Sequence, residues 1–433
     1  MYITRRLSQY LDQNPAAMAE APPEGPGSGF LVVVDEAAAD RSAPPCAAAA
    51  ACARASRGTT PSPSRRAGSW RSRTGPPLMH PAETGAEVVT GIVGQLLGVD
   101  SGGGPGMRTT TETDNVVFIP VVGLPLSSRR YYVVRTDGKH VGDKTTCCFC
   151  TCVNDVPPRP FKHDDLYLQV EVQPLPRTRR FSAGAVAADG IPPEYLRRKG
   201  WKVSTESSKY DLADDANGVD VPLRRRTPDL GCGGGSTSPS PVVVVGRWYV
   251  PFIFVRVDDD ERRRVRKDLV RRCMFYRMTL EQSWKQIYSC TRETPATTAP
   301  EQVTVMATVR RSEPRLGGTY LPQEEEVGAD GVKWFRPAAA TTAAVGRRAL
   351  GLNVVVCERM RWELERGGWV AGDEDEERIE RVERCDVEGL QGRQWDKFEC
   401  FMLVETFVLT RMDGSVALSY QFSHTDKIRT RWE

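Results

Sequence analysis

Four thiols fall within six consecutive positions, Cys147, Cys148, Cys150 and Cys152, in the run Cys147-Cys148-Phe149-Cys150-Thr151-Cys152. If that run is extended, Cys148, Cys150 and Cys152 face one side and Cys147, Phe149 and Thr151 the other, so three sulfurs form a stripe. Zinc is the metal such ligands would take. Its tetrahedral shell wants four ligands, usually from two separated pairs, and one short segment closes that shell only if His140 or His163 joins it. A nucleophilic cysteine would need a base, and His163-Asp164 is the local histidine with an acidic neighbour. Adjacent intracellular cysteines beside an aromatic are also acceptors for S-acylation, which would attach the chain peripherally to a membrane. Against these stands the plainer reading, buried thiols that need only good packing. Cys147, Cys148, Cys150, Cys152, His140 and His163 are therefore the metal candidates. No catalytic residue is assigned and no cofactor is predicted.

Other chemistries lack their residues. The four histidines, His80, His140, His163 and His424, include no His-Glu-x-x-His pair, which argues against a multi-histidine metal hydrolase. No Walker-type loop ends in Gly-Lys-Ser/Thr, and Gly233-Gly234-Gly235 sits in a serine-proline linker, not between a strand and a helix. A Gly-x-Ser-x-Gly elbow is missing as well. The run Asp258 to Arg272 sets four acids before a basic stretch. It reads as a charged surface helix whose ends complement its dipole, in preference to a nuclear-import or nucleic-acid patch. The net charge of +3 on 433 residues drives no binding to nucleic acid. The tryptophans from Trp248 to Trp432 read as core and rim residues of sheets.

The elements that would position these groups are mostly strands. Val116-Val117-Phe118-Ile119 and Tyr131-Tyr132-Val133-Val134 suit an antiparallel pair. Pro192 to Gly200 has proline at a helix start, basic residues in the last turn and glycine at the cap, which predicts one short helix. Val242 to Val257 is a long apolar run in which Pro251 demands an edge, a bulge or a break. Phe275 to Tyr288 fits both a strand and a helix, and its strand-like neighbours favour the strand. Phe401 to Leu409 is apolar at nearly every position, while Val416, Leu418, Tyr420 and Phe422 alternate with smaller or polar residues. Asp413-Gly414 between them predicts a β-hairpin closed by a type I′ turn. A weak echo matches Gly246 to Tyr249, Glu281 to Trp284 and Val303 to Arg310 with Gly331 to Phe335, Glu358 to Trp362 and Leu403 to Arg411, suggesting a duplicated β unit.

The division expected is an N-terminal α+β part over residues 1–36 and 111–230, a low-complexity and disordered insert over 37–110, a linker over 231–241, and a strand-rich C-terminal part over 242–433. Residues 37 to about 77 are alanine, serine, proline and arginine with few large aliphatics, too little apolar surface to offset the entropy of ordering. The first twenty residues carry no apolar run of signal-peptide length, and no segment approaches the roughly 18 apolar residues of a transmembrane helix. An intracellular protein of cytoplasm or nucleus is expected, with its twelve cysteines kept as thiols.

The cysteine run, Arg197-Arg198-Lys199-Gly200-Trp201, the opening Met1-Tyr2-Ile3-Thr4-Arg5 and the ending from Arg411-Met412-Asp413-Gly414 to Arg431-Trp432-Glu433 resemble a land-plant family catalogued as domain of unknown function 1262. The resemblance covers Met1 to about Glu36, Asn115 to about Cys290 and Gly331 to Glu433, and residues 37–110 depart from the family pattern. It implies a plant-specific intracellular protein and supplies no active site. The fold expected is α+β, predominantly antiparallel β-sheet with few short helices and disordered inserts. The function expected is a non-enzymatic protein-interaction or adaptor module whose partners are other proteins. The alternatives are a cysteine-dependent enzyme or metal-binding protein using Cys147 to Cys152, and a peripheral membrane protein S-acylated there.

Overall fold

The computed structural model describes residues 1–6, 23–33, 93–98, 112–124, 128–135, 165–176, 181–197, 202–205, 212–230, 240–251, 253–256, 275–291, 302–321, 323–327, 331–336, 349–372, 374–385 and 395–433. These residues form an α+β fold of 21 strands and three short or medium α-helices. All six candidate residues, Cys147, Cys148, Cys150, Cys152, His140 and His163, lie outside the described residues, as does the charged run Asp258 to Arg272.

The largest sheet has nine strands. Its centre is β12 (Tyr276–Thr291), β20 (Lys397–Thr410) and β21 (Val416–Trp432), three long antiparallel strands. Beyond β21 lie β14 (Ser312–Leu316) and β15 (Thr319–Tyr320). Beyond β12 lie β10 (Val243–Val250), β1 (Tyr2–Arg6) and β2 (Gly29–Val33), and β9 (Gly218–Val219) also pairs with β10. Every pairing is antiparallel except β1 with β2. Thus β1 and β2, grouped by sequence with residues 111–230, join the sheet built by the C-terminal residues.

Pro251 breaks the apolar run as expected. After β10 the chain leaves the large sheet and enters β11 (Ile253–Arg256), the edge of a four-stranded antiparallel sheet with β18 (Ala349–Asn353), β17 (Val332–Phe335) and β16 (Gln323–Val327). A six-stranded antiparallel sheet follows the order β7-β6-β5-β4-β3-β8. These are β3 (Val93–Gly98), β4 (Glu112–Pro120), β5 (Arg130–Arg135), β6 (Gln169–Pro174), β7 (Phe181–Ala185) and β8 (Lys202–Thr205). The predicted pairing of Val116–Ile119 with Tyr131–Val134 is the β4–β5 ladder. Within the insert expected to be disordered, Val93–Gly98 is the strand β3. A two-stranded ribbon of β13 (Gln302–Arg310) and β19 (Glu376–Arg384) completes the sheets.

The helices are few, as predicted. α1 (Glu194–Arg197) is the expected short helix, and α2 (Val221–Arg226) is capped by the Asp220 carboxylate accepting from Leu223 N–H at 2.9 Å. α3 (Val354–Arg366) starts at Asn353, whose side chain accepts from Val355 N–H, and buries Val356, Met360 and Leu364 at helical spacing. Glu281–Trp284 lies in β12 while its supposed repeat Glu358–Trp362 lies in α3, so the echo joins two different elements.

Two cores hold the layers together. One packs Met1, Ile3, Trp248, Leu280, Phe407 and Leu418 of the large sheet against Phe335 and Leu352 of the four-stranded sheet and Met360 and Leu364 of α3. The other joins Tyr2, Leu31 and Tyr249 to Ile119 and Tyr132 of the six-stranded sheet. The tryptophans behave as core and rim: Trp248, Trp284 and Trp395 are buried, and Trp334, Trp369 and Trp432 pack partly buried against the clusters.

The β20–β21 hairpin is present, but its turn differs from the one expected. Asp413 does not take a positive φ; Gly414 does, at 89°. Gly414 N–H donates to Arg411 C=O at 2.8 Å and Arg411 N–H to Ser415 C=O at 2.8 Å. That pattern is a type I turn closed by a glycine bulge, which puts the Asp-Gly dipeptide one position later than a type I′ turn requires.

Candidate functional site

Two features stand out, one sealed inside the large sheet and one on its surface. The alternation of side chains places Gln282 of β12, Glu405 of β20 and Phe422 of β21 directly opposite one another, and Trp284, Leu403 and His424 in the next row on the same face. Glu405 and His424 therefore sit amid Leu280, Phe407 and Leu403, at 0% and 1% exposure.

Arg224, carried in by α2, closes over Glu405 with two hydrogen bonds, Nε to Oε1 at 2.7 Å and Nη2 to Oε2 at 2.5 Å. Gln282 Nε2 donates to Oε1 at 2.8 Å, and His424 Nε2 lies 3.1 Å from Oε2. Burial alone would raise the Glu405 pKa. The hydrogen bonds from Arg224 and His424, reinforced by charge, outweigh it and bring the carboxyl from 4.5 down to about 2.

The remaining Arg224 donor, Nη1, reaches Glu363 C=O in the last turn of α3 at 2.8 Å. Arg359 Nη2 donates to the Glu363 carboxylate at 2.6 Å, its other terminal nitrogen donates to Glu24 C=O, and its guanidinium stacks on Trp362. Burial pushes the Glu363 carboxyl up, against the nearby charges of Arg359, Arg224 and Arg366. Lys427 Nζ caps Gly367 C=O at 2.6 Å. Gly367 is required by contact, since a Cβ there would stand 2.0 Å from Arg224 Nη2.

A carboxylate with a pKa of about 2, shut away from solvent, is a feeble base and carries no proton to donate at neutral pH. What the cluster does is fasten α2 and the end of α3 to the middle of the sheet. Next to it, Trp284 Nε1 donates to Pro228 C=O at 2.7 Å and Arg429 Nη2 to Thr227 Oγ1 at 2.9 Å, so the segment after α2 is strapped to the same face.

The surface feature is the β13–β19 ribbon. Its inner face packs Val303, Val305, Val309 and Ile379 on Phe398, Cys400, Met402 and Val404, the face of β20 opposite Glu405. Its outer face carries Thr304 opposite Val382, Met306 opposite Glu380 and Thr308 opposite Arg378. Met306 and Val382 are 56% and 58% exposed there.

Sequence reasoning missed the buried cluster. Its one visible signal is Glu405, the sole charge in the apolar run Phe401 to Leu409. Among the described residues no group of three or more His, Cys, Asp or Glu is placed to hold a metal ion. The described thiols of Cys357 and Cys400 are pushed up by burial, to about 12 and about 11, which leaves them protonated at neutral pH. No helix among the described residues is long and apolar enough to cross a membrane.

The architecture defines the class as an α+β protein dominated by antiparallel sheet. The family model described as Protein of unknown function (DUF1262) matches residues 95–164, which take in most of β3, all of β4 and β5, and the cysteine run. Comparison with curated proteins gives no match. Among solved structures, the crystal structure of Cry35Ab1 is similar at a TM-score of 0.38 and 10% identity, over 78% of this chain and 90% of that one. A similarity that low carries no argument about function.

Proposed function

We propose that this protein is a non-enzymatic protein-interaction module, an adaptor that acts inside plant cells. The family resemblance supports the plant and intracellular setting. The observation that supports the module is the outward face of the β13–β19 ribbon, where Met306 and Val382 stand exposed on a strand pair whose other face is anchored to the large sheet. Apolar side chains on a rigidly backed sheet face give a partner area to bury at little ordering cost.

The test is the native size of the tagged full-length chain in a plant-cell extract, by gel filtration with mass spectrometry of the eluted peak. A stoichiometric partner that is lost in Met306→Asp and Val382→Asp variants is expected. A bare monomer, unchanged by those variants, overturns the reading, and bound metal or turnover in that peak would shift attention to Cys147 to Cys152.

A further inference from the structure

We propose that the edge of β19 that carries no ladder partner among the described residues pairs with the same edge of a second copy, so that two ribbons join into one four-stranded antiparallel sheet around a two-fold axis at Ile379. The proposal rests on the reading of the ribbon as an interaction element and names one partner for it. β13 lies alongside β12 and β21, whereas β19 is the outer strand, with β13 as its ladder partner among the described residues. An edge strand offers unpaired backbone donors and acceptors to any extended chain, and charged side chains are the usual means of refusing one. On β19 the charges refuse most partners and fit one.

The strand reads Glu376-Glu377-Arg378-Ile379-Glu380-Arg381-Val382-Glu383-Arg384. A parallel pairing of two copies would oppose identical charges along its length. An antiparallel pairing centred on Glu377, Arg378, Glu380 or Arg381 would oppose that residue to itself. Centred on Ile379, the pairing sets Arg378 against Glu380 and Glu377 against Arg381, each twice by symmetry, with Ile379 facing Ile379. Opposed residues then share a face, so the buried Ile379 side stays on the core side of the ribbon.

A centre at Val382 also matches opposite charges, Arg381 with Glu383 and Glu380 with Arg384, but it pairs fewer residues of the strand. Glu377 and Arg381 already face Arg311 at 2.7 Å and Glu383 at 2.9 Å within one chain. Arg378 and Glu380, 68% and 65% exposed, hold each other only at the long distance of 3.9 Å, and Arg378 Nη2 also donates to Met306 Sδ at 3.7 Å, so they are the most loosely held charges of the strand and the ones a second copy engages. The joined sheet would bring Met306 and Val382 of both copies onto one continuous outward face, doubling the platform for a protein partner.

The experiment is sedimentation of the purified full-length chain over a concentration series. A reversible dimer is expected, with Arg378→Glu and Glu380→Arg each weakening it at least ~10-fold, since two attractive pairs become repulsive. The double variant Arg378→Glu/Glu380→Arg exchanges the charges across the axis and is expected to restore the dimer, which also shows that neither change harms folding. The proposal is overturned by a wild-type monomer up to about 1 mM, by a dimer indifferent to the single reversals, or by a double variant that stays dissociated. Purified protein alone is used, so these results leave standing the outward-face reading, which is tested by partner loss.

Discussion

Glu405 is an anion buried on a sheet face between Leu280, Leu403 and Phe407, and its partners come from four elements: Arg224 of α2, Gln282 of β12, His424 of β21, and, through Arg224, the end of α3. Removing one charge of such a pair leaves the other buried and uncompensated. Arg224→Met should therefore cost about 3–5 kcal/mol in urea unfolding, whereas Arg224→Met with Glu405→Leu should cost far less than the sum of the two single changes. The same geometry sets an acid limit. Because the folded pKa of about 2 lies below the ordinary 4.5, the stabilisation from Glu405 is fully present above pH 4.5 and drains away as pH falls toward 2. Urea midpoints measured down that range should fall more steeply for the wild type than for Glu405→Gln.

Gly414 shows why strands and turns are read from sequence with different success. It holds φ at 89°, a region a Cβ disfavours, so Gly414→Ala should lower stability by ~1 kcal/mol, seen as a reduced melting temperature with the hairpin retained. The two strands it joins are legible because the large apolar residues Val416, Leu418, Tyr420 and Phe422 alternate along the start of β21 while Phe401 to Leu409 is apolar at nearly every position of β20. The turn was not, because Asp-Gly serves several turns and only the Arg411–Ser415 hydrogen bonds select one. Pro251 was legible as a break because proline cannot donate to a ladder, yet nothing near it announces that the chain enters another sheet. The helix over Val354–Arg366 escaped notice although Val356, Met360 and Leu364 carry its period. The clasp stayed hidden for another reason: Glu405 is conspicuous in its run, but Arg224 is 181 residues away in sequence, and no local pattern joins them.

At the level of the molecule, the strands Tyr2–Arg6 and Gly29–Val33 are structural. Met1 and Ile3 enter one core and Tyr2 and Leu31 the other, so the first strand pair links the large sheet to both neighbouring layers. Each such side chain is worth about 1.5–3 kcal/mol when buried, and together they rival the entire stability of an ordinary domain, about 5–15 kcal/mol. A chain lacking residues 1–33 should thus fail to unfold cooperatively in calorimetry. Retention of a sharp transition near the wild-type temperature would show that the two cores do not need β1 and β2.

The ladder that sets Tyr2 opposite Tyr249 has a consequence for how the chain is made. During synthesis the strand Tyr2–Arg6 emerges long before Val243–Val250, and at ribosomal speeds of ~5–20 residues per second the delay is on the order of 10–50 s. All six strands of the sheet between Val93 and Thr205 are translated in that interval. Their sheet can form while Met1, Tyr2 and Ile3 still lack β10, leaving the apolar start of the first strand uncovered until the rest of its sheet exists.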